Sequence, residues 1–181
     1  MLVTIEYDRE RALEYAERWA FQRNPLFESY NGIGGDCTNF VSQCVYAGSC
    51  TMNDTPTFGW YYRSPTDRAP AWTGVEFFYN FITGNDSVGP FGSETYPGGL
   101  GIGDVVQLGR SGGGYYHSLL VTGFTADGYL VSAHSNDAFD RPLPSYEYDM
   151  ARFIRIEGVR IEIPDRFRPR CFERLISGTQ I

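Results

Sequence analysis

The hydrophobic pattern of this chain changes period once, and that change limits the fold more than any other feature. Before residue 83 the apolar residues recur at helical spacing; after residue 103 they form short alternating runs punctuated by glycine. Ala12, Tyr15, Ala16, Trp19 and Ala20 predict an amphipathic helix over 7–23, closed by Asn24-Pro25 because the residue before proline is pushed out of helical geometry. Asp36 as N-cap and Gly48 as stop predict a second helix over 36–48, with Phe40, Val41, Cys44, Val45 and Ala47 buried. Thr73-x-x-Glu76 reads as a capping box that opens a short aromatic helix carrying Val75, Phe78, Tyr79 and Ile82 on one side. Residues 49–71 and 83–103 read as loops. Strands are predicted at 104–108, 117–124, 129–134, 152–156 and 159–163, with the second and third joined as a hairpin through Ala126-Asp-Gly128. Helices first and strands later is an α+β order, with N-terminal helices packed on an antiparallel sheet. The length of 181 residues fits one domain, 1–181, in which 157–181 is a C-terminal extension with no assigned role.

Composition narrows the chemistry. All 15 cationic side chains are arginine, so lysine Schiff bases and the Walker A loop are excluded. With only His117 and His134, sites built on three histidines and the HExxH pair are excluded as well, and no metal or other cofactor is expected. A net charge of −7 disfavours a phosphate backbone as partner, so no nucleic acid is expected. The C-terminal arginines 160, 166, 168, 170 and 174 alternate with Glu162, Asp165 and Glu173 and read as a solvated polar face. No run reaches 18 apolar residues, so no membrane span is expected. No signal-like stretch opens the chain, which predicts a cytoplasmic protein. The cysteines at 37, 44, 50 and 171 contain no CxxC pair and do not suggest a disulfide framework, although a Cys44–Cys50 bridge remains open. Oligomeric state is open too.

The reactive candidates fall at telling positions. Cys37 sits in the first turn of the second helix, where the dipole and free N–H groups favour a thiolate and can hold an oxyanion. His117 begins one strand of the predicted hairpin and His134 ends the other, so the two lie near each other. A base on one strand oriented from its neighbour is the arrangement a cysteine–histidine triad uses. His134 or Asn136, which share parity, is the candidate orienter.

Gly35-Asp-Cys-Thr-Asn-Phe-Val-Ser-Gln43 resembles the signature of the Putative amidase domain family, bacterial cysteine hydrolases related to NlpC/P60 and CHAP enzymes. Ile102-Gly-Asp104, His117-Ser118 and Ala133-His134 with Asp137 resemble its strand region, and the likeness covers roughly residues 7–156. The resemblance implies a papain-like fold, Cys37 as nucleophile and His117 as base, with His134 or Asn136 as third member. Its expected activity is cysteine-dependent hydrolysis of an amide or peptide through a thioester, with a peptidoglycan-type muropeptide as the superfamily's usual substrate. Asp36, Tyr30, Asn31 and Trp60 are the expected substrate-side residues: Tyr30 or Asn31 as an oxyanion donor, Trp60 as a stacking platform or else a core residue. Relatives are often exported, so action at the cell wall is the alternative to the cytoplasm, if the chain is trimmed or exported by another route. Two further readings stay open: acyl transfer by the same dyad, and a catalytically silent binding module on the same scaffold.

Overall fold

The computed structural model describes residues 1–163 and 170–180. It has the expected α+β character. The first helix, α1 (Arg9–Trp19), starts where Asp8 accepts from the Arg11 N–H. It buries Ala12, Tyr15, Ala16 and Trp19, the residues that carry the helical period. The second, α2 (Asp36–Ser49), is buried along nearly its whole length. Both of its ends differ from expectation. Asp36 is the first helical residue rather than the cap; the cap is Gly35 at φ 97°, a backbone that favours glycine. Gly48 does not stop the helix, which runs on to Ser49 and closes at Cys50 with φ 45°. Gly48 is glycine because a Cβ there would meet Tyr7 at 2.4 Å and the Asp8 carbonyl at 2.6 Å, which lets the start of α1 lie directly on α2.

The segment read as a loop after α2 contains a small hairpin, β2 (Tyr62–Ser64) with β3 (Asp67–Arg68), and a one-turn helix α3 (Pro70–Thr73). The aromatic helix α4 (Val75–Gly84) follows. Its capping box does not form: Gly74 is the cap, and Glu76 pairs instead with Arg152 at 3.2 Å.

One sheet of seven strands underlies the helices. In order it runs β1 (Leu2–Ile5), β9 (Met150–Glu162), β5 (Val105–Arg110), β6 (Gly114–Thr125), β7 (Gly128–Ala133) and β8 (Ala138–Pro142). The seventh strand, β4 (Gly89–Thr95), pairs with the other edge of β9. All pairings are antiparallel. The predicted hairpin is present as β6–β7, and the two strands expected at 152–163 are one long strand. Strands β1, β4 and β8 were not expected. The C-terminal helix α5 (Cys171–Ser177) docks beside α1 and α2, and Cys50–Cys171 is a disulfide. That pairing replaces the Cys44–Cys50 option; Cys44 is a free, fully buried thiol of the core.

The sheet carries a core on each face. Val105, Leu120, Ile154 and Ile156 meet the helices, together with Phe40, Trp60 and Trp72. Val106, Leu108, Leu119, Val121 and Val131 meet Leu100, Leu143 and Tyr146 on the other side. Strand alternation alone sorts these residues, because successive side chains point to opposite faces. Asp104, at the entry to β5, ties the layers together. It is wholly buried and accepts from the Gly101 N–H (2.7 Å), the Ile156 N–H (2.8 Å) and Arg9 (2.7 Å). Of the C-terminal arginines, Arg160 covers the Phe91 ring at 3.5 Å, whereas Arg166 and Arg168 lie outside the described residues.

Candidate active site

The first turn of α2 forms the centre of the candidate site. Cys37 is 5% exposed, and no side chain caps the N-terminus of its helix. The free N–H groups of that turn are therefore available to an anion. The Cys37 Sγ lies 3.8 Å from Thr38 Oγ1, its hydrogen-bond partner among the described residues. No hydrogen bond joins Cys37 to either histidine.

Thr38 links this turn to the sheet. Its hydroxyl meets Ser118 Oγ at 2.9 Å, so the residue after the cysteine touches the residue after His117. Ser118 also accepts from Gln107 Nε2 (3.0 Å), whose Oε1 accepts from Arg152 Nε (2.7 Å). This buried polar chain beneath α4 has no signature in the sequence, because Ser118, Gln107 and Arg152 are ordinary strand residues.

His117 sits on β6 just after an irregularity: its partner is Leu108, while Tyr115 pairs with the next residue, Gly109, leaving Tyr116 as the extra one. By alternation it shares a face with Leu119 and Val121. Its ring lies 6.3 Å from that of Tyr116 and 6.0 Å from that of Tyr146, and it makes no hydrogen bond to a described residue. Burial, and secondarily the Arg141 cation, hold its pKa down at about 4. It is a neutral imidazole at neutral pH.

His134 has different surroundings. Leu120 pairs with Ser132, and that ladder carried two residues onward sets His134 across from Ser118 rather than His117. Its ring stacks on Phe40 at 4.1 Å, with Nδ1 3.1 Å from Asp36 Oδ2 and Nε2 2.9 Å from the Trp19 carbonyl. Both nitrogens are occupied, and neither contacts His117.

Asp36 is the hub of this second cluster. It is completely buried, and it accepts from the Tyr30 N–H (2.9 Å) and Asn39 Nδ2 (3.2 Å), while Arg23 Nε lies 3.2 Å from it. Burial pushes its pKa up, but the His134, Tyr30 and Asn39 contacts outweigh that and lower it to about 2. Arg23 in turn makes a two-pronged pair with Asp137 at 2.9 Å on each prong. Sequence reasoning missed Arg23, since an arginine just past a helix end reads as an ordinary complement to the dipole.

The remaining candidates are scattered. Tyr30 is buried with a hydroxyl that meets no partner, under the Arg68 guanidinium at 4.5 Å. Asn31 is exposed, and Asn136 is exposed in the β7–β8 turn at φ 73°. Trp60 is fully buried, its ring 4.9 Å from that of Trp72 and 6.0 Å from that of Phe81, and its indole N–H donates to Ser42. In this structure it is a core residue with no face free for a ligand; the exposed aromatic of that loop is Phe58. Among the described residues no group of three or more His, Cys, Asp or Glu is placed to hold a metal ion, and no helix is long and apolar enough to cross a membrane.

No solved structure matches the chain. An uncharacterized protein of Bacillus subtilis (strain 168), YhbB, is 36% identical over 71 residues, which is 38% of this chain and 22% of YhbB. The chain thus spans under a quarter of the length of that curated relative. The family model described as Putative amidase domain matches residues 6–156, which takes in α1, the Cys37 turn and nearly all of the sheet. The match covers most of the chain, and the chain belongs to the Putative amidase domain family, whose description points to an enzyme that acts on amide bonds.

Proposed function

We propose that the protein is a cysteine-dependent amide hydrolase on a papain-like scaffold, with Cys37 as nucleophile and His117 as base. The observation that carries this reading is the position of Cys37: a lone thiol in the uncapped first turn of a 14-residue helix, next to the residue that touches the His117 strand. His117 takes the thiol proton. Its low pKa leaves the imidazole neutral and able to accept a proton at neutral pH. The thiolate attacks the amide carbonyl, and the N–H groups of the α2 first turn stabilise the oxyanion. His117 then gives its proton to the departing amine, and water cleaves the thioester to release the acid and the thiol. Strand alternation sets His117 on the Leu119 and Val121 face, away from α2, so the reading requires its ring to turn toward Cys37 when substrate binds.

A muropeptide-type peptide is the proposed substrate class, from the family resemblance. The Cys50–Cys171 disulfide supports action in an oxidising compartment, where such links persist. The test is hydrolysis of peptidoglycan-derived peptides by native protein and Cys37→Ala: full activity in the variant overturns the proposal. Added amine nucleophiles in the same assay reveal acyl transfer by a second product.

The silent binding module is the competing reading, favoured by the absence of any hydrogen bond between Cys37 and a histidine. Iodoacetamide distinguishes the two. An activated Cys37 alkylates much faster than Cys44 at neutral pH, and equal slow rates favour the module.

A further inference from the structure

Asp36 presents a difficulty for the nucleophile beside it. A buried carboxylate at the start of a helix opposes formation of a second anion on the adjacent side chain, since a nearby like charge disfavours ionisation. The structure supplies two groups that offset this charge: Arg23, from the segment after α1, at 3.2 Å, and His134, at the end of β7, at 3.1 Å. Arg23 is itself fixed by Asp137 from the β7–β8 turn, and its Nη1 lies 3.3 Å from His134 Nε2. From the remaining elements the groups on this corner are Tyr30, whose backbone N–H meets Asp36, and Arg68 of β3 above the Tyr30 ring; His117 lies on the other face of the sheet.

We infer that Arg23 and His134 are positioning residues that offset the Asp36 charge and thereby keep the Cys37 thiolate accessible at neutral pH. This rests on the reading of Cys37 as nucleophile. It assigns His134 to Asp36 in place of the base, and it brings in Arg23, which touches no reacting atom. Asp36 is retained because it anchors the turn: it holds the Tyr30 N–H and Asn39, and Asn39 in turn holds the Glu28 carbonyl at 3.0 Å and the Trp72 indole at 3.0 Å.

The experiment is the rate of iodoacetamide modification of Cys37 at pH 7 in the full chain, followed by mass spectrometry, with thermal melts to confirm folding. Arg23→Gln is expected to slow modification about tenfold, the effect of about one unit in thiolate availability. Arg23→Lys keeps the charge and is expected near the native rate. The double variant Arg23→Gln/Asp36→Asn removes both charges and is expected to recover most of the loss. A purely structural role gives the opposite sign, because loosening the turn exposes a thiol that is 5% exposed and speeds its modification. An unchanged or faster rate in Arg23→Gln, or no recovery in the double variant, overturns the inference. Hydrolysis by Cys37→Ala separates this outcome from failure of the nucleophile reading: activity retained there sinks the nucleophile whatever the alkylation rates show.

Discussion

The two histidines of this chain are both buried, yet they occupy opposite chemical situations. His134 has an oxygen within hydrogen-bond range of each ring nitrogen and a phenyl ring stacked on its face. His117 has aromatic neighbours, no hydrogen bond to a described residue, and a pKa held at about 4 by burial and Arg141. The contrast is one of partners: both ring nitrogens of His134 are taken up by oxygens, and neither ring nitrogen of His117 is hydrogen-bonded among the described residues. Burial alone does not tell them apart; the hydrogen-bond count does.

Substitution of each histidine in turn is the strongest way to break that comparison. His117→Asn is expected to reduce hydrolysis about 10³-fold or more with the protein still folded, as loss of a base in comparable triads does. His134→Asn is expected to lower the melting temperature as well as the rate, because it leaves Asp36 and the Trp19 carbonyl without their partner. Equal rate losses at unchanged melting temperature would place both residues in the chemistry.

The brace behind His134 is the next test. Leu175 of α5 accepts from the Trp19 indole at 3.0 Å and from Asn24 at 2.8 Å, and the disulfide closes a separation of 121 residues. Cys171→Ser is expected to destabilise by about 5 kcal/mol on the chain-entropy account, measured by urea unfolding. It should leave the His117 pH response described next intact.

Acid unfolding separates the two clusters by window. His117 titrates near 4 in the folded chain against an ordinary 6.5, so the unfolded state binds more protons between those values. Stability is complete above pH 6.5 and is lost as pH falls toward 4, by about 3 kcal/mol. Asp36, lowered from 3.8 to about 2, contributes in full above its unfolded value, and its share of about 2 kcal/mol is lost as pH falls from 4 to 2. Chemical denaturation across pH should show the upper window vanish in His117→Asn and the lower one vanish in Asp36→Asn. The smallest effect belongs to Phe40→Leu, which keeps the burial but removes the ring under His134; it is expected to cost about 1 kcal/mol.

Legibility in the sequence followed the same division between pattern and partner. Helices α1 and α2 and the β5–β6–β7 run were readable because their apolar residues keep one period throughout. Strand β4 was hidden, since Gly89-Pro-Phe-Gly92 has the composition of a turn and pairs with β9 through a register shift between Phe91 and Gly92. The disulfide was illegible because nothing local links Cys50 to a residue beyond 170. The site shows the same split. The place of Cys37 in the first turn of α2 and of His117 on β6 was legible from helix position and strand pattern. Their neighbours were not: the hairpin register that sets His134 opposite Ser118, and the buried Arg23–Asp36 pair, arise from tertiary packing that periodicity does not encode. The capping residues show why. Asp36 has ideal N-cap chemistry, but its carboxylate is drawn to His134 and Arg23, and Gly35 takes its place at the cap.

The central claim is that Cys37 carries the acyl group. Mass spectrometry of acid-quenched early turnover, with a peptide amide the native protein cleaves, tests it most directly. The account predicts the substrate's acyl mass on the peptide that contains Cys37, discharged by water and absent from Cys37→Ala. Turnover with no adduct on Cys37 in a variant slowed at His117, or continued cleavage by Cys37→Ala, would contradict it.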